Sequence, residues 1–117
     1  RGLMDWPPIV ERMYELALWL VVKAGRFPKD QRFLLGARIV TKALDIQDQL
    51  LAAALTPAGP EKRDRLAKLD LDLERLRYLL RLAKDVRCLS PRAWQYAARH
   101  LLEIGKSLGG WRKSLSG

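Results

Sequence analysis

In this 117-residue chain it is the basic side chains, rather than any nucleophile, that fall at spacings able to act together. Arg77, Arg81 and Lys84 follow i, i+4, i+7 spacing, so on a helix they form one ridge. Arg92, Arg99 and Lys106 repeat at i, i+7, i+14 and share a face of the next helix. Lys29 and Arg32, with Arg38 and Lys42 further along, cluster on an earlier one. Such ridges on neighbouring helices suit a phosphate backbone, whose contacts give affinity without sequence readout. Tyr96 lies between Arg92 and Arg99 and offers a ring for a base to stack on. For any one of these residues the plainer reading is a solvated helix face laced with ion pairs.

The bulk charge agrees with the ridges. There are 22 Lys and Arg against 13 Asp and Glu, a net charge of +9. That excess suits polyanionic partners: RNA, DNA or an acidic protein. A catalytic reading finds little to stand on. His100 is the only histidine and Cys88 the only cysteine, and no third group or local signature joins them into a nucleophilic pair. Cys88 reads as a small, partly buried hydrophobe, and His100 falls on the polar side of its helix beside Arg99. Asp45 with Asp48, or Asp70, Asp72 and Glu74, offer oxygens for a metal, yet the Glu-x-x-His pattern of a bundle di-metal site is missing. These acids read better as partners for nearby Arg and Lys, such as Glu74 with Arg77. Gly109-Gly110 is followed by no Lys-Ser or Lys-Thr phosphate loop. The expectation is therefore a non-catalytic protein without metal or cofactor.

Glycines and prolines divide the chain into four segments, each with apolar residues three and four apart. The spacing predicts helices over about 7–25, 28–55, 61–89 and 91–113, within a single domain covering 1–117. Helix one starts at Pro7-Pro8 behind Asp5 as cap, with Trp6 stapling its start, and buries Ile9, Met13, Leu16 and Leu20. Helix two is expected to turn Phe33, Ala37, Val40, Leu44 and Leu51 to one face. Thr56-Pro57-Ala58-Gly59-Pro60 stops it. Helix three carries Leu66, Leu69, Leu73, Leu76, Leu80 and Ala83 at heptad spacing. Ser90-Pro91 is an N-cap with proline at the first helical position, opening a helix with Trp94, Ala97, Leu101, Ile104, Leu108 and Trp111 as its stripe. Its end is expected to weaken at Gly109-Gly110 and fray from Ser114. Short connections make this an all-α, up-down antiparallel four-helix bundle.

Two of these helices carry more apolar surface than one bundle can bury. The seven-residue run Leu16 to Val22 is apolar all round helix one, yet far short of the roughly 20 residues of a membrane span. Helix three adds a second flank of Leu71, Tyr78, Leu79, Leu82 and Val86 beside its heptad leucines. Covering both surpluses calls for further subunits, so a homo-oligomer is expected. A lone cysteine suits a reducing cytoplasm, and no secretory signal pattern or membrane partner is foreseen. The first residue is Arg1 rather than Met, so the natural N-terminus is expected to lie upstream.

Two motifs carry a family resemblance. Phe27, Pro28, Lys29, Arg32, Leu35 and Gly36 resemble the opening of helix two in a four-helix-bundle family. That family holds the accessory variability determinant (Avd) proteins of diversity-generating retroelements and the proteins encoded by ribosomal-RNA intervening sequences. Leu76-Arg77 through Leu80-Arg81-Leu82-Ala83, then Leu89-Ser90-Pro91 and Gly105 through Gly109-Gly110-Trp111, are similar to the Avd branch. The stretch Ile39 to Leu44 departs from the ribosomal-RNA branch and favours the same side. The resemblance runs from about Ile9 to Leu115. It implies a homopentameric barrel of bundles, partnership with a reverse transcriptase, and binding of template RNA or cDNA during mutagenic retrohoming. It points to Lys29, Arg32, Arg77 and Arg81 as contacts to nucleic acid or polymerase, and to Phe27, Pro28, Gly36 and Trp111 as structural. The alternatives are a protein of the ribosomal-RNA intervening-sequence type, or a protein-interaction scaffold that binds no nucleic acid.

Overall fold

The computed structural model describes residues 6–116, all of whose regular structure is helical. Helix α1 spans Pro8–Ala24. Helix α2 runs over 29–55, its first turns interrupted by a π-helical turn at Arg32–Gly36. Helices α3 and α4 span Pro60–Asp85 and Pro91–Ser116. They pack in a closed ring, α1 on α2, α2 on α3, α3 on α4 and α4 back on α1. Cross-contacts fix the directions: Arg12 pairs with Glu103 while Trp19 meets Tyr96, and Asp70 pairs with Arg112 while Lys84 lies over Trp94. Neighbours are therefore antiparallel, and the bundle measures 45 × 29 × 21 Å.

The core is aliphatic. Met13, Leu16, Leu20, Ile39, Ile46, Leu50, Leu66, Leu69, Leu76, Leu80, Leu101 and Ile104 are fully buried. The expected stripes of α1, α3 and α4 all face it. In α2 the inward face differs from the expected one. Ile39, Ala43, Ile46, Leu50 and Ala53 point in, whereas Phe33 is 74% exposed and Leu44 also faces outward. Both sets have helical spacing, and only the set on the α1–α3 side can fill the core. At the π turn the Ala37 amide donates to the Arg32 carbonyl, five residues back, and this widened turn leaves Phe33 and Leu34 at the surface.

The ends differ from expectation in three places. Asp5 lies outside the described residues, and Pro7 occupies the N-cap of α1. Helix α3 stops at Asp85 rather than continuing to residue 89. There Cys88 donates its amide to the Ala83 carbonyl and Arg87 to Lys84, a Schellman closure with Arg87 left-handed at φ +68°. Helix α4 continues through Gly109-Gly110 to Ser116, since Leu108, Trp111 and Leu115 keep packing on the core. Its start is as the sequence implied: Ser90 Oγ accepts from the Ala93 amide at 3.0 Å.

Candidate nucleic-acid interface

The ridge on α3 lies along its seam with α4. Arg77, Arg81 and Lys84 line an open groove of about 400 Å³ together with Glu74, Tyr78 and Trp94. Lys84 Nζ sits 4.4 Å from the centroid of the Trp94 ring, and the Arg81 guanidinium 5.9 Å from that of Tyr78. Aromatic rings thus hold Arg81 and Lys84 in place along the groove. Two acids moderate the charge. Arg77 pairs with Glu74 at 3.2 Å, and Asp85 takes Lys84 at 3.6 Å and Arg81 at 4.0 Å.

The other predicted residues are dispersed. Lys29 and Arg32 lie at the bundle end where α2 begins, both exposed, with an Arg32 Nη2 donating to the Phe27 carbonyl. Arg92, in the first turn of α4, belongs to that same end. Arg99 lines a groove between α1 and α4 with Arg12, His100, Glu11, Glu15 and Glu103, a mostly acidic setting. Lys106 is exposed further along α4. Arg38 and Lys42 turn toward α3, apart from Lys29 and Arg32. Tyr96 does not stand free between Arg92 and Arg99. Its ring packs 4.8 Å from Trp19 and 4.5 Å from His100.

His100 lines that charged groove beside Arg99, half-buried, with its ring against Tyr96. Nine helical residues, about 14 Å along the axis, separate it from the start of α4, beyond which Cys88 lies. Burial, and then the charge of Asp30, push the Cys88 thiol up, away from the thiolate a nucleophile needs. Among the described residues no group of three or more His, Cys, Asp or Glu is placed to hold a metal. No helix among them is long and apolar enough to cross a membrane.

Asp72 pairs with Arg75 as its spacing implies, and it also takes two partners from α2 that the spacing does not show. Asp72 is 8% exposed and accepts from Gln49 at 2.8 Å, Arg75 at 3.1 Å and Lys42 at 3.3 Å. Burial pushes its carboxyl up, but the three hydrogen bonds and the Lys42 charge outweigh that and hold it below the usual value. The signal was there: Asp72 falls three after Leu69 and four before Leu76, on the heptad stripe itself. Lys42 is thereby a strut of the α2–α3 seam, not part of a free basic cluster.

The surplus apolar surface is also in view. Leu71, Leu82 and Val86 are about half exposed and Tyr78 is 62% exposed. Leu79, Leu82 and Val86 join Phe33, Leu34 and Arg38 of α2 around one shallow apolar groove. On α1, Tyr14, Leu18, Val21 and Val22 are exposed.

A basic four-helix bundle with a cation-lined interhelical groove and bare apolar flanks is the class these observations define. A family model described as bAvd-like matches residues 8–115, nearly the whole described chain, and the protein belongs to that family. The family is of an accessory type. No curated protein matches the chain.

Proposed function

We propose that this protein is a non-catalytic accessory subunit of a retroelement reverse transcriptase. It binds the polymerase and the template RNA or cDNA through basic surfaces during mutagenic retrohoming. The observation that carries the reading is the α3–α4 groove, where Arg77, Arg81 and Lys84 line up against Tyr78 and Trp94 in a chain of the bAvd-like family. A row of cations beside aromatic rings is the minimum that a phosphate backbone with unpaired bases asks for. The apolar flanks on α1 and α3 fit a homo-oligomer, with a pentamer the expected state.

The test is binding of a labelled structured RNA across a salt series, with the mass of the 13.4 kDa chain followed by light scattering. Affinity should fall steeply with salt, and the mass should correspond to about five chains. The Arg77→Glu, Arg81→Glu pair should fold and assemble normally yet lose more than about tenfold in RNA affinity. A scaffold reading draws on the Glu74 and Asp85 ion pairs, which neutralise part of the groove. It predicts capture of the polymerase with no RNA binding at physiological salt.

A further inference from the structure

The chain carries a stronger concentration of uncompensated charge than the α3–α4 groove. It lies at the end of the bundle where the α1–α2 and α3–α4 connections meet. Asp30, in the first turn of α2, acts electrostatically on Cys88 of the α3–α4 connection, and Phe27 and Leu89 both enter the same core. Residues 26–32 and 84–92 together hold six cations, Arg26, Lys29, Arg32, Lys84, Arg87 and Arg92, against Asp30 and Asp85, so 6 − 2 = +4. Arg26, Lys29, Arg87 and Arg92 are exposed and form no salt bridge among the described residues. At the opposite end Arg65 pairs with Glu61, Arg112 with Asp70, and Lys62 lies over Trp111.

Arg87 adds a second, independent observation. It occupies the left-handed C′ position of the α3 Schellman closure at φ +68°, and it is the only non-glycine residue with positive φ among those described. Glycine is the usual occupant, because a Cβ in this conformation crowds the following carbonyl oxygen. Arg87 is exposed and forms no salt bridge among the described residues to offset that strain. Strained residues of this kind concentrate where a ligand uses the side chain.

We infer that this end of the bundle is a second nucleic-acid contact, with the Arg87 guanidinium held on the outside of the α3–α4 turn to grip a backbone phosphate beside Arg26, Lys29 and Arg92. The inference rests on the nucleic-acid reading above and adds to it where the strand is gripped. A guanidinium presents paired donors to phosphate oxygens, so arginine is the suited side chain at the tip of a tight turn.

Replacing Arg87 separates stability from binding. Arg87→Gly relieves the strain and should raise the melting temperature by about 2–5 °C. It should at the same time weaken binding of a fluorescein-labelled RNA hairpin about fivefold at low salt. The slope of log affinity against log salt should shrink by about 0.7–0.9, one phosphate contact. Lys68→Ala removes the same unit of charge from an exposed position on α3, some 28 Å along the helix, and should leave affinity and slope unchanged. Arg87→Gly binding like the parent, or a slope that falls equally in Lys68→Ala, would overturn the inference while leaving the nucleic-acid reading intact. A lower melting temperature for Arg87→Gly would remove its premise of strain. If the parent protein itself ignores the hairpin, it is the nucleic-acid reading that fails.

Discussion

Helix α3 presents two flanks to its neighbours, and they are built for different surroundings. Toward α2, Leu79, Leu82 and Val86 leave a broad apolar surface at the edge of the Phe33–Leu34 turn. Toward α4, Arg77, Arg81 and Lys84 run in parallel, partly compensated by Glu74 and Asp85. Between them lies the fully buried ridge of Leu69, Leu76 and Leu80. One helix thus divides its circumference among core, apolar exterior and charged exterior. An apolar flank in water lowers free energy only when something covers it, whereas a charged flank is content with solvent until a polyanion displaces its counterions. The first flank suits a permanent protein contact and the second a salt-sensitive one.

If this division is right, the two flanks can be broken separately. The largest effect should come from Leu82→Asp with Val86→Asp. Two buried charges in a subunit interface cost several kcal/mol, so light scattering should report a monomer. Unfolding by urea should be nearly unchanged in that monomer relative to its own baseline, since neither side chain belongs to the core. An assembly that persists would reassign the apolar flank. A smaller loss is expected from Asp72→Ala, which leaves Lys42 and Gln49 without their acceptor and should lower stability by about 1–3 kcal/mol in urea melts.

Acid sharpens the same point. The Asp72 carboxyl is held below its ordinary value of 3.8 in the fold. Its contribution is therefore complete above about that pH and disappears as pH falls through the lower folded value. Asp72→Asn should flatten the acid limb of a stability–pH curve measured by urea melts. The smallest effect should be Lys84→Ala. It removes the ammonium from the Trp94 ring and should cost about 0.5–1 kcal/mol, with a change in tryptophan fluorescence as the marker.

Much of the fold was legible because apolar spacing and breakers agree. The heptad of α3, the Ser90-Pro91 start and the stripe of α4 each have one solution that buries leucines and satisfies backbone amides. Helix α2 was not legible to the same degree. Its two apolar stripes, Ile39–Ala43–Ile46–Leu50 and Phe33–Ala37–Val40–Leu44, are both helical in period, and periodicity does not say which one faces inward. The candidate site was legible as a set of spacings along single helices. It was not legible across helices, because the groove depends on which neighbour lies beside Arg77 and Arg81. Arg99 has the same spacing as Arg92 yet ends among Glu11, Glu15 and Glu103.

The sequence by itself determined a basic, all-helical chain with four segments, an aliphatic core and more apolar surface than one bundle uses. Those follow from residue type and period, which are local and additive. Only the tertiary structure decided which α2 face is buried, that Asp72 locks α2 to α3, and that α3 closes early on a left-handed Arg87. The first two depend on residues far apart in the chain competing for the same space or hydrogen-bond partner, settled only when the helices pack, and the third on local backbone hydrogen bonds between residues 83 and 88 that residue type and period do not reveal.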